Sequence, residues 1–155
     1  MSRAFVKEDA GDPDELPELH QSSAPNYVTL AGLEALRAAA VRLRERLGAL
    51  PPESREVLAA KRDLRYFEGR VASAIPVDSR TGPADEVRFG ATVVLRGEDG
   101  KTRSVEIVGQ DEAKGALGKV AWDSALALMG AKKGETRETE DFGVATILDI
   151  RYLGR

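Results

Sequence analysis

The sequence predicts an α+β protein in which an antiparallel coiled-coil hairpin of two helices precedes an antiparallel β-sheet domain with one short helix. Three observations support this fold class. Apolar residues recur every three or four positions between residues 30 and 75, which is typical of helices. They alternate with polar residues from residue 87 onward, which is typical of half-buried strands. A Pro-Pro pair divides the helical part in two.

The helical part contains two apolar series with steps of three and four residues, the spacing that keeps one helix face against a partner helix. The first helix is predicted over residues 30–48, with Thr29 as its N-cap, and the second over residues 53–74. Pro51 and Pro52 end the first helix and fit the start of the second. The predicted seam consists of Leu33, Leu36, Ala40, Leu43, Leu47 and Leu50, and of Val57, Ala60, Leu64, Phe67, Val71 and Ala74.

The alternating part predicts a strand over residues 87–95, followed by a hairpin turn at Glu98-Asp99-Gly100 and a partner strand that ends at Gly109. Shorter elements follow this pair. We expect strands near residues 120–122 and 135–139, a brief helix over 124–129 and a last long strand over 144–152. Four or five antiparallel strands with one helix form a domain near the lower size limit for independent folding.

The chain divides into an acidic tail (residues 1–26), a hairpin (27–75), a linker (76–86) and a C-terminal domain (87–155). The tail holds six acidic and two basic side chains, and its composition predicts low order. The hairpin holds nine basic and six acidic side chains, so its net charge is opposite to that of the tail. This distribution argues against a general nucleic-acid-binding protein and favours docking on another protein.

Several classes of site are excluded by residues that the sequence lacks. It has no Cys, which excludes disulfides, a thiolate nucleophile and Cys-based zinc sites. The single His, His20 in the acidic tail, has no second His with which to share a metal, so we expect a solvated residue. No apolar run approaches the length of a membrane span, and the N-terminus does not resemble a signal peptide. We therefore expect a cytoplasmic protein that does not bind membranes.

Five groups of residues resemble, in the same order, motifs of the Gre (GreA/GreB) family of bacterial transcription elongation factors. The most specific is Ile107-Val108-Gly109-Gln110-Asp111-Glu112, which matches the family pattern IVGxDE. The other groups lie at residues 27–32, 59–71, 87–91 and 130–135, and residues 147–152 resemble the closing strand of the family. The resemblance covers residues 27–155 and leaves the acidic tail outside.

The resemblance implies a C-terminal domain of FKBP-like fold that docks at the rim of the secondary channel of RNA polymerase, and a coiled coil that enters this channel. In members that stimulate transcript cleavage, a tip with the pattern DxxEN supplies two carboxylates that help to hold a second Mg²⁺. The polymerase then hydrolyses the RNA, so the factor itself is not an enzyme. We expect a monomer that has no cofactor of its own and contacts RNA at most indirectly.

The tip of this sequence departs from the family pattern. Leu50 stands where the family has Asp, and Glu53-Ser54 stand where it has Glu-Asn, with Pro51 and Pro52 between them. Both helical arms are also shorter by about two turns, which moves the tip back by on the order of 10 Å. A carboxylate that far away cannot coordinate a metal, which needs its ligands within about 2 Å. We therefore expect polymerase binding without transcript cleavage.

Docking on the polymerase is expected to involve the C-terminal domain. Asp123-Ser124 occupy the position of a family loop that faces the polymerase, with Ala125 in place of its Pro. Trp122 and Met129 are either docking residues or, as we prefer, core residues. Lys132 and Lys133 either contact an acidic partner or form a charged turn. The complete docking set predicted is Asp111, Glu112, Trp122, Asp123, Ser124, Lys132 and Lys133.

Three alternatives remain open from the sequence. A true cleavage factor would use Glu53 with Glu56 or Glu45, and only then would a Mg²⁺ shared with the polymerase be involved. An FKBP-like domain could instead be a prolyl isomerase, although this one has few aromatic residues to line a proline pocket. The third alternative is an adaptor for a different protein, as in the Rnk-like relatives with short coiled coils. Such an adaptor would have the same hairpin, but its partner would not be the polymerase.

Overall fold

Two helices of similar length form the hairpin. In the computed structural model, which describes residues 16–153, helix α1 covers Leu30–Ala49 and helix α2 covers Arg55–Ser73. Thr29 caps α1 as predicted, because its hydroxyl accepts a hydrogen bond from the Gly32 N–H at 2.9 Å. Residues 50–54 connect the helices, and the two prolines in this turn cannot continue α1. Both predicted helices are confirmed.

The predicted seam is the surface along which α1 and α2 pack. Every seam position is buried or half-buried, and none is exposed. A small cluster marks the end of the seam nearest the C-terminal domain. Its buried members are Val28, Leu33 and Leu36, with Phe67, Val71 and Ala74 packed against them. Since apolar burial is the main favourable contribution to folding, the seam holds the two helices together.

A two-stranded parallel sheet closes the base of the hairpin. Strand β1 covers Asn26–Val28 and strand β2 covers Ala74–Pro76, with Tyr27 opposite Ile75. The chain therefore enters and leaves the hairpin side by side. The sequence did not predict this pair, because strands of three residues are too short to show a hydrophobic period.

The C-terminal domain contains a five-stranded sheet with the strand order β5-β4-β3-β7-β6. Its strands are β3 (Ala91–Arg96), β4 (Thr102–Val108), β5 (Lys119–Ala121), β6 (Thr136–Thr139) and β7 (Gly143–Tyr152). A short helix α3 (Gln110–Ala113) follows β4, and a 3-10 turn (Ala125–Ala127) follows β5. The core is formed by alternate residues of the three longest strands, and its largest fully buried side chains include Leu95, Ile107 and Ile147.

The sheet is mixed, whereas the sequence predicted antiparallel pairing throughout. β4 and β5 pair in parallel, with Ile107 opposite Val120, while the other three pairs are antiparallel. The difference arises because α3 and the loop after it return the chain to the start of the neighbouring strand. The helix predicted over residues 124–129 is shorter than expected and forms only the 3-10 turn.

The strand predicted over residues 87–95 begins later, at Ala91. Val87 and Phe89 are nevertheless buried, as the alternation indicated. Gly90 interrupts the extended conformation before β3, because its φ of 86° lies in the left-handed region that favours glycine. The alternation thus predicted which side chains are buried, but not where the strand starts.

The segment before β1 was predicted to belong to a low-order tail. In the structure it lies alongside helix α2. Residues 16–25 form no helix or strand, yet Glu18 pairs with Arg65 and Gln21 packs against Gly69. Residues 1–15, which complete the predicted tail, lie outside the described residues. Across residues 16–153, no helix is both long and apolar enough to cross a membrane.

The end of β4 passes close to β1, and this approach requires a glycine. A Cβ on Gly109 would lie 2.6 Å from the carbonyl oxygen of Tyr27. That oxygen belongs to the backbone, so it cannot rotate aside as the end of a side chain would. In contrast, a Cβ on Gly48 near the end of α1 would meet no atom within 4 Å.

We expect Gly109→Ala to lower the free energy of unfolding by about 1–3 kcal/mol, the usual cost of overpacking. Gly48→Ala is the matched control, and we expect it to raise the free energy of unfolding by about 0.5 kcal/mol because alanine favours helices. Urea denaturation of both variants measures the two changes. Equal effects of the two substitutions would contradict the close approach of β4 to β1.

Candidate functional site

The hairpin and the C-terminal domain meet around a buried arginine. Arg70 of α2 is only 2% exposed. Its Nε donates to Asp111 Oδ2 at 2.6 Å, and its Nη2 donates to Asn26 Oδ1 at 2.7 Å and to Gln110 Oε1 at 3.1 Å. A buried charge is costly unless it is paired and hydrogen-bonded, and these partners satisfy both conditions. One guanidinium therefore joins β1, α2 and α3.

The carboxylate of Asp111 has a second partner on α2. The Tyr66 hydroxyl donates to Asp111 Oδ1 and accepts a hydrogen bond from Lys114 Nζ at 2.8 Å. Tyr66 and Arg70 lie one turn apart, so both face the C-terminal domain. Burial and the hydrogen bond to Asp111 raise the pKa of Tyr66 above its ordinary value, because both disfavour the charged phenolate.

The adjacent carboxylate, that of Glu112, holds the start of α1. The Thr29 hydroxyl donates to Glu112 Oε1, and Lys119 Nζ donates to Glu112 Oε2 at 3.1 Å. This bond raises the pKa of Lys119, because the carboxylate stabilises its charged form. A Cβ on Gly32 would lie 2.6 Å from Glu112 Oε1, so a glycine in the first turn makes room for this contact.

Three of the five motif groups that resemble the Gre family converge on this junction. They are the groups at residues 27–32, 59–71 and 107–112, which are joined here by hydrogen bonds between Thr29 and Glu112 and from Arg70 to Asp111 and Gln110. Asp111 and Glu112 are thus bound to α2 and to the start of α1 within the chain. A contact of these two carboxylates with a docking partner stays a prediction.

Trp122 packs at the edge of the junction. Its ring makes an edge-to-face contact with Tyr27, with 4.9 Å between the ring centroids, and it packs against the core of the sheet domain. The indole N–H is buried and has no hydrogen-bond partner within residues 16–153. Trp122 therefore contributes to the core as expected, whereas Met129, which was also expected in the core, is 46% exposed.

An open cleft lies on the outer side of Trp122, with a volume of about 650 Å³. Three of the predicted docking residues, Trp122, Asp123 and Ser124, line it together with the exposed Met129. The remaining lining residues are Ala125, Leu128, Arg137 and Glu138. The structure thus brings part of the predicted docking set to one surface.

Two contacts fix the loop that borders this cleft. Asp123 Oδ2 accepts a hydrogen bond from Gln110 Nε2 at 2.7 Å, and Ser124 Oγ accepts one from the Leu126 N–H at 3.2 Å. Because Gln110 also binds Arg70, the cleft is connected to the buried junction. No pattern in the sequence indicated this connection.

The basic pair of the predicted docking set lies outside the cleft lining. Lys132 and Lys133 are both exposed, and Lys132 forms a backbone bridge with Glu86. Lys133 Nζ lies 4.0 Å from Asp149 Oδ1, at the limit of an ion pair. Both ammonium groups remain accessible, and their role in docking stays a prediction.

The tip of the hairpin is a tight turn with a single carboxylate. Leu50 is half-buried, while Pro51, Pro52 and Glu53 are exposed. The backbone N–H and the hydroxyl of Ser54 donate to the Pro51 carbonyl oxygen at 3.1 and 2.9 Å. Among residues 16–153 there is no group of three or more acidic or histidine side chains that could hold a metal ion.

The sequence did not identify Asn26 and Tyr66 as parts of the junction. Asn26 is buried in β1, and its Nδ2 donates to the Arg70 carbonyl oxygen at 2.8 Å. Tyr66 lies within the motif group at residues 59–71 but was not singled out there, and Asn26 lies outside every group. The available signal was the spacing of Tyr66 and Arg70, which places both on one face of α2 beside the apolar seam.

We expect the Arg70–Asp111 pair to be strongly coupled in the folded protein. Arg70→Met leaves a buried carboxylate without its main partner, and we expect it to lower the free energy of unfolding by about 3–5 kcal/mol. Asp111→Leu leaves the guanidinium buried without its carboxylate partner, and we expect a similar loss of free energy of unfolding. We expect the double variant to lose about 1–3 kcal/mol less free energy of unfolding than the two single variants lose together. A double-mutant cycle measured by urea denaturation checks this difference.

Arg44→Met is the control for this cycle, because Arg44 pairs with Glu68 at 3.0 Å on the exposed side of the hairpin. Removing an exposed pair costs less than about 1 kcal/mol. Additive effects of Arg70→Met and Asp111→Leu would show that the two side chains do not depend on each other.

We expect alkaline pH to destabilise the junction through Tyr66. Because the pKa of Tyr66 is raised in the folded state, its contribution to stability is complete below the unfolded value of about 10 and is lost as pH rises through the folded value. Subtracting the tyrosinate absorbance titration of Tyr66→Phe from that of the wild type isolates this group. A midpoint at or below pH 10 in the difference curve would refute the raised pKa.

Solved structures of Gre-related proteins align with most of this chain, but at low similarity. GreA factor homolog 1 (Gfh1) of Thermus thermophilus aligns over 83% of this chain and 99% of its own, with 21% identity and a TM-score of 0.39. The GreA/GreB factor from Nitrosomonas europaea aligns over 84% and 100%, with 20% identity and a TM-score of 0.39. TM-scores of this size establish no common geometry over the whole chain.

Sequence comparisons identify the family. The family model described as "Transcription elongation factor, GreA/GreB, C-term" matches residues 82–152. Transcription elongation factor GreB of Neisseria meningitidis is 37% identical over 98 residues, which cover 59% of this chain and 60% of that protein. Transcription elongation factor GreA of Bradyrhizobium diazoefficiens is 37% identical over 108 residues, which cover 63% and 69%. The chain therefore belongs to the GreA/GreB family of transcription elongation factors.

Proposed function

We propose that this protein binds RNA polymerase at the rim of its secondary channel, inserts the helical hairpin and regulates elongation without stimulating transcript cleavage. Membership of the GreA/GreB family supports a role in transcription elongation, with the polymerase as partner. The aligned region covers only 60% of the GreB relative, so the activity of that protein cannot be transferred as a whole. The observation that carries the proposal is the composition of the tip.

The tip offers one carboxylate where metal-assisted cleavage in relatives is expected to use two. A hard cation such as Mg²⁺ binds oxygen ligands, and Leu50 presents an apolar, half-buried side chain in place of an aspartate. Glu53 is exposed and makes no ion pair with any residue of the described chain. One flexible carboxylate without a second ligand at its side is a poor site for a shared Mg²⁺.

A second candidate is a true cleavage factor that uses Glu53 together with Glu56 or Glu45. All three glutamates are exposed at the tip end of the hairpin, which favours this alternative. Glu56 also has another explanation, because it lies in the first turn of α2, where the helix dipole stabilises negative charge. This candidate predicts cleavage that depends on Glu53.

The cleft beside Trp122 is the surface that we propose for docking at the channel rim. Met129 is exposed at 46% and supplies an apolar contact, while Asp123 and Ser124 supply polar ones. Lys132 and Lys133 add positive charge for an acidic surface. An apolar contact ringed by polar groups is the usual arrangement of a protein–protein interface.

Reconstituted backtracked elongation complexes test both parts of the proposal. The wild-type protein is expected to co-elute with core polymerase at physiological salt. Met129→Glu places a charge in the proposed contact and should weaken binding by at least about tenfold, since a buried unpaired charge costs several kcal/mol. Leu117→Glu is the matched control, because Leu117 is fully exposed in the same domain and does not line the cleft. Failure of the wild type to bind would favour an adaptor for a different protein.

The same complexes report on cleavage. We expect RNA shortening to stay at the intrinsic rate of the polymerase when the wild-type protein or Glu53→Ala is added. Shortening by the wild type that is abolished in Glu53→Ala would reject the proposal in favour of the cleavage factor.

A further inference from the structure

One side-chain amide joins the buried junction to the cleft beside Trp122. Gln110 is the first residue of α3, and its Oε1 accepts a hydrogen bond from Arg70 Nη2 at 3.1 Å. Its Nε2 donates to Asp123 Oδ2 at 2.7 Å and to Ser22 Oγ at 3.1 Å. A single amide therefore connects three segments that are far apart in the chain: helix α2, the loop after β5 and the segment before β1.

The partners of this amide fix its orientation. The guanidinium of Arg70 can only donate hydrogen bonds, so it has to face the amide oxygen. The ionised carboxylate of Asp123 can only accept them, so it has to face the amide nitrogen. A glutamine at residue 110 therefore satisfies two neighbours of opposite charge at once. A glutamate would repel Asp123, and an apolar side chain would bind neither neighbour.

The end of the amide that faces the hairpin is firmly held. Arg70 is buried and also donates to Asp111 and Asn26. The backbone just before Gln110 is confined as well, because Gly109 lies against the carbonyl oxygen of Tyr27. The position of the Gln110 side chain is therefore set by the base of the hairpin.

The end of the amide that faces the cleft holds a side chain with no other partner in residues 16–153. The carboxylate of Asp123 is exposed, and Gln110 is the one residue of the described chain to which it is hydrogen-bonded. The backbone on either side is fixed separately, since the Trp122 N–H donates to the Val108 carbonyl oxygen at 3.0 Å and the Ser124 N–H to that of Ala121 at 2.9 Å. Gln110 therefore determines where the carboxylate of Asp123 lies at the cleft.

We propose that Gln110 is a positioning residue for docking, because it fixes the Asp123 carboxylate at the cleft relative to helix α2. A partner that binds the cleft and receives the hairpin at the same time needs both in one arrangement. Fixing that arrangement before binding lowers the cost of association. The role in docking rests on the proposed function, whereas the hydrogen bonds from Arg70 through Gln110 to Asp123 can be tested without the polymerase.

Substitutions at both ends of the Gln110–Asp123 bond test this connection. In Gln110→Glu, the carboxylate still accepts from Arg70 but repels Asp123. We therefore expect the backbone amides of Ser124 and Leu126 to exchange with solvent about threefold to tenfold faster than in the wild type, the effect of one lost hydrogen bond. Asp123→Asn keeps an oxygen that accepts from Gln110, so we expect wild-type exchange rates.

The double variant Q110E/D123N restores the bond with its direction reversed. The amide introduced at residue 123 can donate to the carboxylate introduced at residue 110, so we expect the exchange rates to return to those of the wild type. Hydrogen exchange measured by NMR gives these rates, with the amide of Val93 in the central strand β3 as the reference for global unfolding. Unchanged exchange in Gln110→Glu, or a double variant that exchanges as fast as Gln110→Glu, would overturn the proposal.

Binding to core polymerase tests the consequence for docking. We expect Gln110→Glu to weaken the affinity about threefold to tenfold, while the double variant binds as Asp123→Asn does, because both lack the same carboxylate. Wild-type affinity in Gln110→Glu together with faster exchange would overturn the positioning role. A wild-type protein that fails to bind the polymerase would instead reject the proposed function, and the exchange rates would still decide whether Gln110 holds Asp123.

Discussion

The buried ion pair between Arg70 and Asp111 is the interaction on which the rest of the structure depends. Arg70 lies in the helical hairpin and Asp111 in the C-terminal domain, so the pair joins two units that otherwise have separate apolar clusters. An almost fully buried guanidinium is tolerated only when neighbouring groups supply hydrogen-bond acceptors and an opposite charge. Asn26, Gln110 and Asp111 supply them from two different segments. The direction in which the hairpin projects is therefore set by hydrogen-bond geometry.

Sterically, the same junction depends on glycines. Gly109 lets the end of β4 approach β1, and Gly32 lets Glu112 reach the start of α1. These glycines and the junction carboxylates belong to the groups that resemble the Gre family, whereas the turn at residues 50–54 does not match the family tip. Since the junction lies at the base of the hairpin and the turn at its far end, the turn can change while the motifs of the junction persist. A strong resemblance in these motifs therefore does not determine what the tip does.

The sequence predicted the elements with a clear hydrophobic period and two of the short strands, β5 and β6, but it missed other short elements. The seam between α1 and α2 and the cap at Thr29 follow from local spacing, and the structure confirms them. It missed strands β1 and β2, helix α3 and the parallel direction of β5, because segments of three or four residues show no hydrophobic period. The role of Arg70 depends on Asn26, which is 44 positions away in the chain, and local patterns carry no information about such contacts.

Helix α2 has little surface left for a partner, because three of its sides are already in contact with the rest of the chain. One side packs on α1, a second faces the junction and a third contacts residues 18–21. The residues that define these sides are Phe67 and Val71, Tyr66 and Arg70, and Arg65 and Gly69. On α1, in contrast, Arg37, Arg42 and Arg46 are exposed and form no ion pair with the described part of the chain. An acidic surface that approaches the hairpin therefore meets basic side chains without an ion pair in the described part of the chain on α1 and, on α2, at Arg55 and Lys61, but it reaches Arg65 only by competing with Glu18.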